Sequence, residues 1–253
     1  MTNPSQELQT AIEAAKAGGK IALNYFQTKL DVKTKKDSSF VTNADLETEK
    51  TIKNSILKSY PDAKFLAEES GGDTNEKDFW IIDPIDGTRM FIKGITQWSI
   101  LIAHYANNEI TSGVCYIPTQ DILLVAEKNS AAYLNGKQVT VSTINTLDKA
   151  FGSFGSIRHY KNIDPIIKLN ENKTVLRGFE SAYGLALVAK GSMDVVIDAY
   201  ATPWDYAPFI RIIEEAGGKV TDFEGKPWNL ETKNLVATNG LLHDRVIKVI
   251  NKN

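Results

Sequence analysis

The chain has 253 residues, of which 42% are hydrophobic and 24% are charged, and its formal net charge is −2. This is an ordinary globular composition, and a chain of this length buries roughly three quarters of the surface that it exposes when unfolded. Lys33, Lys35 and Lys36 cluster locally, but the overall charge lacks the basic excess of nucleic-acid-binding domains, so we expect no nucleic-acid partner. The single cysteine, Cys115, excludes an internal disulfide.

The sequence shows no targeting or membrane segment. Its N-terminus has no basic region leading into an apolar run, and no stretch approaches the length of about eighteen apolar residues that a membrane span needs. We therefore expect a cytoplasmic protein with no membrane partner.

Two amphipathic helices are predicted in the first sixty residues. Asn3 and Pro4 are typical of an N-cap followed by the first helical position. Apolar residues then recur at helical spacing as far as Phe26, which predicts a helix of about 23 residues. A second helix is predicted from about Ala44 to Ser59. The segment 31–39 between them is charged and irregular.

The region from Gln97 to Thr140 is predicted to form an antiparallel sheet. Short runs rich in β-branched and aromatic residues cover 98–105, 110–117 and 122–126. A hairpin should follow at Asn135 and Gly136, because this dipeptide favours a type I′ turn.

The last third of the chain has mixed character. We predict a helix near 181–190, a strand near 193–197, and a helix that opens at Asp205 and stops at Gly217 and Gly218. In this phase Asp205 is the N-cap, and Pro208 lies in the first turn, where a missing amide costs little. Without a repeat or a clear linker, the helices and two sheets should form one layered α+β domain over residues 1–253.

The most informative stretch reads WIIDPIDGTR and covers residues 80–89. Its continuous apolar start predicts a buried strand, so Asp83 and Asp86 should emerge where that strand ends, at the edge of the core. Two carboxylates that converge there repel each other unless a cation lies between them. Asp, Pro, Gly and Thr also initiate turns, so the stretch by itself predicts either a turn or a metal site.

Three other acidic positions are equally ambiguous when taken alone. Glu68 and Glu69 follow an apolar pair and precede two glycines, which is also typical of solvated surface. Asp45 should lie in the first turn of the second helix, where it would complement the helix dipole. Asp205 could be a helix cap and nothing more.

Taken together, these positions resemble the inositol monophosphatase family of magnesium-dependent, lithium-sensitive phosphatases. The resemblance covers nearly the whole chain and rests on the segments VTNAD (41–45), EES (68–70), DPIDGT (83–88), WD (204–205) and EAGG (215–218). It implies a layered αβαβα sandwich of the inositol monophosphatase and fructose-1,6-bisphosphatase type, and a homodimer.

The resemblance also implies how the site residues are used. Two to three magnesium ions would be held by Glu68, Asp83, the carbonyl of Ile85, Asp86 and Asp205. The catalytic residues would be Glu68, Asp45 and Thr88, of which the last two orient and deprotonate the attacking water. The substrate contacts would come from the amides of Gly87 and Thr88 and from Asp198, Glu180, Ser181 and Arg89.

Magnesium chemistry explains these residue types. The ion prefers hard oxygen ligands, which carboxylates and a carbonyl supply. A dianionic phosphate monoester repels hydroxide until cations neutralise the phosphoryl oxygens. None of the three histidines, His104, His159 and His243, shows metal-ligand spacing.

Two other classes of protein have to be weighed. Haloacid-dehalogenase phosphatases also place an aspartate pair after an apolar strand and use the first as a covalent nucleophile. Their acids are separated by one residue, whereas Asp83 and Asp86 are separated by two. A non-catalytic regulatory homologue could share the fold, but intact acids at every site position argue against it.

The expected substrate is a small polar phosphate monoester, with inositol 1-phosphate first. The segment RMFIKG (89–94) resembles the histidinol-phosphatase branch, which makes histidinol phosphate the alternative, and its basic residue is shared with 3′(2′),5′-bisphosphate nucleotidases. Arg89 could equally be a solvated turn residue. Asp198 occupies the family position of an acid that contacts substrate hydroxyls. Acids at Asp198 and Glu180 favour a polyol or an amine, whereas a nucleotide would require cations and aromatic platforms.

Overall fold

The structure is a computed structural model that describes residues 4–36, 38–72, 75–200 and 202–252. The helices are α1 (Gln6–Tyr25), α2 (Asn43–Ser59), α3 (Thr88–Ile92), α4 (Asp164–Glu171), α5 (Ser181–Ala189), α6 (Pro203–Glu215) and α7 (His243–Ile250). The strands are β1 (Val32–Thr34), β2 (Phe40–Thr42), β3 (Phe65–Ala67), β4 (Asp78–Asp86), β5 (Ser99–Ala106), β6 (Glu109–Ile117), β7 (Ile122–Glu127), β8 (Ala132–Leu134), β9 (Lys137–Val139), β10 (Phe151–Ser153), β11 (Val175–Arg177), β12 (Val195–Asp198), β13 (Lys219–Thr221) and β14 (Leu235–Thr238). Among the described helices, none combines the length and apolar character needed to cross a membrane.

The strands form two sheets and a small ribbon. The larger sheet has seven strands in the order β3-β4-β5-β6-β7-β8-β9. Only β3 and β4 pair in parallel there, and the remaining neighbours are antiparallel. The smaller sheet has five strands in the order β11-β10-β12-β14-β13, of which β11, β10 and β12 run parallel. Strands β1 and β2 form an antiparallel ribbon.

Three hydrophobic clusters define the layers. Trp80 and Ile82 of β4 pack with α1 and α2 on one face of the seven-stranded sheet. Phe79 and Ile81 face the other way, into a central cluster with α5 and α6, because successive side chains of a strand point to opposite faces. A third cluster joins the outer face of the five-stranded sheet to α4 and α7. The predicted αβαβα sandwich is confirmed.

The first helix is shorter than predicted. It has 20 residues and begins at Gln6, because the Ser5 hydroxyl accepts the amide of Leu8 at 3.1 Å and so acts as the N-cap. The predicted start at Asn3 and Pro4 is therefore wrong, and Asn3 itself lies outside the described residues. The second helix agrees with its prediction to within one residue.

The predicted antiparallel block is confirmed as β5 to β9. Its hairpin turns at Asn135 and Gly136, whose φ angles of 48° and 79° are the two positive values that a type I′ turn requires. The parallel pairing of β3 with β4 extends this sheet beyond the predicted region.

The sequence predicted that strand β4 ends where its aspartates begin, but the strand includes both of them. It runs through Asp83 to Asp86 and pairs with β5 on both sides of an irregularity between these two residues. Pro84 lies in this irregularity and has no amide to donate to the sheet. A bulge of this kind redirects the side chains around it, here both carboxylates.

Helix α6 also begins earlier than predicted. Thr202 is the N-cap and Pro203 the first helical residue, which places Asp205 third in the helix and Pro208 in its interior. Proline is favoured at the first position because its fixed φ suits the helix and its missing amide has no partner there. Gly113 accommodates the interior proline, because a Cβ at Gly113 would lie 2.2 Å from the Pro208 carbonyl oxygen.

Candidate active site

Three acids meet where the β4 bulge faces the first turn of α6. Carboxylate oxygens of Asp83, Asp86 and Asp205 all lie within 4.8 Å of one another. Asp83 is 1% exposed and Asp86 is 7% exposed. The bulge supplies the first two carboxylates, and the Pro203 helix start turns the third towards them.

The electrostatics of this group call for a cation. Burial raises the pKa values of Asp83 and Asp86 well above their usual range, and the charges of the neighbouring acids raise them further. Burial raises the pKa of Asp205 to about 7. Carboxylates in such surroundings become stable as anions only with a positive partner, and an all-oxygen donor set is the kind that magnesium prefers. The donor set therefore fits the predicted metal.

Glu68 lies beside this group and is held by a lysine. The Lys35 ammonium is 2.8 Å from Glu68 and 2.7 Å from Glu69. Burial acts to lower the pKa of Lys35, but its bonds to the two glutamates outweigh that effect and raise it. Burial raises the pKa of Glu69 to about 7. Sequence reasoning placed Lys35 only in a local basic cluster, because its partners are more than thirty residues away.

Asp45 is both a helix cap and part of the site. It is fully buried, and its Oδ2 accepts the Thr42 amide at 2.8 Å and the Thr42 hydroxyl at 2.6 Å, which completes a capping box for α2. Its Oδ1 faces the Thr88 hydroxyl, which is 3.3 Å away. Burial raises the pKa of Asp45 to about 6. The capping role therefore coexists with a position next to Thr88.

The backbone around Thr88 is fixed by Gly87 and Ile85. Gly87 has a φ of 82°, and a Cβ there would lie 2.8 Å from the carbonyl oxygen of Gln97. The Thr88 hydroxyl also lies 3.1 Å from the Ile85 carbonyl oxygen, and the Ile85 amide donates to Asp83 at 3.0 Å. The predicted metal-binding carbonyl, at the end of β4, and the predicted phosphate-binding amides, at the start of α3, are thus at most three residues apart in the chain.

The acids lie at the inner end of a cleft with two connected parts. An inner cavity of about 370 Å³ is lined by Glu68, Thr88 and the three aspartates. An outer cavity of about 550 Å³ is lined by Phe40, Arg89, Arg158, Phe179 and other residues. Seven residues line both parts: Ser39, Glu68, Gly87, Thr88, His159, Glu180 and Tyr200.

The predicted substrate residues divide between the cleft and the interior. Glu180, the residue preceding α5, lines both cavities. Ser181 lines the inner cavity, and its hydroxyl donates to Asp198 Oδ2 at 2.5 Å. Asp198 is fully buried, and its other oxygen contacts His159 Nδ1 at 2.7 Å and the Tyr200 amide at 3.1 Å. The structure thus places Asp198 behind the wall of the cleft and not on its rim.

Arg89 is anchored at the mouth of the cleft. Its guanidinium donates to the Ser38 carbonyl at 2.9 Å and stacks over the Phe40 ring at 4.5 Å from the centroid. It lines the outer cavity, so it is not simply a solvated turn residue. These contacts join α3 to the β1–β2 ribbon.

Sequence reasoning missed several residues of the outer cavity, among them Arg158, His159, Phe179 and Tyr200. They follow the carboxyl ends of the parallel strands β10, β11 and β12, and such ends converge at one edge of a sheet. This convergence was a usable signal once the strands were known to be parallel. Arg158, Phe179 and Tyr200 bring a cation and aromatic rings to the same cleft as Glu180, which the prediction of a polyol or an amine did not consider.

The layered fold and the acidic cleft define a phosphatase of the metal-dependent class. The inositol monophosphatase family model matches residues 3–253, and the chain belongs to that family.

The chain is similar to proteins whose names differ, and two of these names refer to different substrates. The chain is 38% identical to a fructose-1,6-bisphosphatase/inositol-1-monophosphatase of Thermotoga maritima over 214 residues, covering 84% of this chain and 82% of that protein. It is 34% identical to a histidinol-phosphatase of Chlorobaculum parvum, covering 96% of each. Its fold matches the extragenic suppressor protein suhB of Bartonella henselae with a TM-score of 0.92 at 29% identity, covering 98% of this chain and 100% of that one.

Proposed function

We propose that the protein is a magnesium-dependent phosphomonoesterase that hydrolyses a small polar phosphate monoester by attack of water. The observation that supports this most directly is the group of Asp83, Asp86 and Asp205 at the inner end of the cleft. Thr88 lines the same cavity, and its hydroxyl lies 3.3 Å from the Asp45 carboxylate. An inositol 1-phosphate-type ester is the substrate that we expect to be preferred.

The residues at the inner end would have three roles: they would bind the metal ions, orient the attacking water and accept its proton. Two to three magnesium ions, held by Glu68, Asp83, the Ile85 carbonyl, Asp86 and Asp205, would neutralise the phosphoryl charge and make an attacking water more acidic. Thr88 would orient this water through its hydroxyl, and Asp45, in contact with that hydroxyl, would accept the proton. The pKa of Asp45, raised by burial to about 6, suits a general base near neutral pH.

The phosphate itself would be bound at the start of α3. Backbone amides at a helix start lack intrahelical partners and attract anions. Gly87 permits the left-handed turn that begins this helix, and both Gly87 and Thr88 line the cleft. Their amides would hold the phosphoryl oxygens opposite the acids.

The outer cavity would select the leaving group. Glu180 offers hydrogen-bond acceptors, while Arg89 and Arg158 offer donors, and a polyol can use both. Histidinol phosphate is a second candidate, because Glu180 could pair with its ammonium and the rings of Phe179 and Tyr200 could pack on its imidazole. Both candidates require the same chemistry at the inner end.

Removal of the metal tests the proposed chemistry. We expect phosphate release from inositol 1-phosphate to stop in excess chelator and to return when magnesium is added. Calcium at equal concentration is the control for ionic strength and charge. Full hydrolysis in chelator would contradict the metal-dependent mechanism.

The nucleophile can be identified with isotope-labelled water. A single turnover in ¹⁸O-water should place one heavy oxygen in the released phosphate, without a trapped phosphoenzyme. Asp83 and Asp86 would be occupied with metal and therefore unavailable for attack. A phospho-aspartate would instead favour the dehalogenase-type mechanism.

A substrate panel separates the candidates. Inositol 1-phosphate, histidinol phosphate, adenosine 3′,5′-bisphosphate and fructose 1,6-bisphosphate should be compared by kcat/KM. We expect inositol 1-phosphate first and histidinol phosphate second. A preference for adenosine bisphosphate would overturn the substrate proposal, while leaving the inner chemistry intact.

The assembly and location are proposals that rest on the family resemblance and composition. We infer a homodimer that works in the cytoplasm. Light scattering should give twice the mass of the chain, and a monomeric mass would contradict this.

A further inference from the structure

His159 is the only described histidine that lines the cleft. It belongs to both the inner and the outer cavity, and its side chain is 31% exposed. Its ring packs beside the Tyr200 ring, with a centroid distance of 5.2 Å. The imidazole therefore lies between the acids that would hold the metal ions and the space where the leaving group would lie.

A buried carboxylate fixes the direction of this imidazole. Nδ1 of His159 lies 2.7 Å from Asp198 Oδ1. Since a carboxylate accepts, Nδ1 carries the proton in this contact. Nε2, on the opposite side of the ring, is then the nitrogen that can reach a molecule in the cleft.

Asp198 is closed off from any substrate. It is fully buried, and its second oxygen accepts the Ser181 hydroxyl at 2.5 Å. The chain before His159 also covers it tightly, because a Cβ on Gly155 would lie 2.3 Å from Asp198 Oδ2. Gly155 has a φ of 59°, which glycine adopts without strain. An acid in this position can act on the substrate only through another side chain.

We propose that His159 binds the leaving group through Nε2, and that Asp198 and Ser181 are positioning residues that hold its ring. The ligand class is a leaving group that carries hydroxyl oxygens next to the phosphate ester. This inference rests on the proposed phosphatase function and assigns its specificity to His159.

The charge on the imidazole suits this role. Burial acts to lower the pKa of His159, but the hydrogen bond and charge of Asp198 raise it, with smaller contributions from the charges of Glu180 and Asp205. A larger share of the ring is then protonated near neutral pH than for a free histidine, and Nε2–H donates to a hydroxyl oxygen.

Two amide variants separate the ring nitrogens. His159→Asn retains a donor near the position of Nδ1, whereas His159→Gln places its amide near the position of Nε2. Relative to wild type, we expect His159→Asn to lower kcat/KM for inositol 1-phosphate about tenfold or more, mainly through KM. It should change kcat/KM for p-nitrophenyl phosphate by about twofold or less, because that leaving group has no hydroxyl to bind.

The control is His159→Gln, which should restore a substantial part of the discrimination. Unchanged melting temperatures would confirm that both variants fold. Equal losses on both esters, or no loss on inositol 1-phosphate in His159→Asn, would overturn the proposal.

A double-mutant cycle tests whether Asp198 acts through His159. Asp198→Asn alone should reduce the preference for inositol 1-phosphate over the aryl ester. In the His159→Asn background the same change should have little further effect, because both residues serve one contact. Additive losses would mean that Asp198 contacts the substrate directly and would contradict the positioning role.

A binding measurement separates this inference from the proposed function. Nitrogen-15 spectra of the wild-type imidazoles should be recorded with magnesium and inorganic phosphate, while myo-inositol is added. We expect the Nε2 signal of His159 to shift and the signals of His104 to stay constant. If wild type hydrolyses no phosphate ester, the proposed function fails, and the presence or absence of this shift still decides the role of His159.

Discussion

The two halves of the cleft are built in opposite ways. The inner half consists of carboxylates enclosed by β4 and α6, and Asp83 there is 1% exposed. The outer half is lined by α3, β2 and the loops that follow β10, β11 and β12, and its Arg89 side chain is exposed. A buried charge needs a partner, so the inner half tolerates few changes. Exposed side chains that line a cleft can be replaced at little cost to stability. Two relatives of this chain accordingly have names that refer to different substrates.

The largest effect is expected at the inner half. Asp83→Asn should lower kcat/KM by about a thousandfold or more, because it removes a metal-binding carboxylate. In chelator the same variant should melt at a higher temperature than wild type, since one of several mutually repelling buried acids is gone. Phosphate-release assays and thermal unfolding measure both effects.

The matched control is Asp244→Asn on α7, whose side chain is 92% exposed. It should leave activity and melting temperature close to those of wild type. Substantial activity in Asp83→Asn would remove the contrast between the two halves of the cleft.

A smaller loss is expected at the boundary of the inner half. Thr88→Val keeps the shape of the side chain but removes the hydroxyl that faces Asp45. We expect kcat to fall about a hundredfold with little change in KM, because water positioning matters in the transition state. Thr28→Val, at an exposed hydroxyl, is the control. A change confined to KM would make Thr88 a binding residue only.

The outer half should respond weakly. Arg89→Met retains an apolar stem over Phe40 but loses the bond to the Ser38 carbonyl. We expect KM for inositol 1-phosphate to rise by less than about tenfold, with kcat maintained, since exposed cationic contacts of this kind contribute only about 0.5–1 kcal/mol. Steady-state kinetics measure the two constants. A loss as large as that of Asp83→Asn would show that the outer half also takes part in the chemistry.

The smallest effect lies outside both halves and concerns stability alone. His243 is buried between the hydroxyls of Thr221 and Thr238, and burial lowers its pKa from 6.5 to about 4. The neutral form is thus favoured in the folded state. The resulting stability is present above pH 6.5 and is lost as the pH falls towards 4, because the unfolded chain takes up the proton first.

We expect this loss to be on the order of 1–2 kcal/mol, reduced by solvent screening. Urea unfolding between pH 7 and pH 4 should show a shallower dependence on pH in His243→Gln than in wild type. Activity at neutral pH should be unchanged. Identical slopes in the two proteins would show that His243 does not titrate as the structure indicates.

Local sequence rules predicted most elements but misplaced two starts. Short runs rich in β-branched and aromatic residues predicted β5 to β7, and Asn135-Gly136 marked the hairpin between β8 and β9. The start of α6 was misread because Thr202 and Asp205 are both acceptable caps, and the choice depends on Pro203 and on packing against β6. The bulge in β4 was missed because an apolar run followed by Asp-Pro also resembles the end of a strand.

The sequence by itself determined which acids to look for in the inner half. The motifs around Asp45, Glu68, Asp83, Asp86 and Asp205 are ambiguous one by one but together resemble one family, and the structure brings these acids to one end of the cleft together with Thr88. Only the tertiary structure decided which partners they and the cleft wall receive. The contact of His159 with Asp198 spans 39 residues, and that of Lys35 with Glu68 spans 33. Propensity and periodicity act over a few residues, whereas such contacts depend on the strand order and on the loops that meet at the ends of parallel strands.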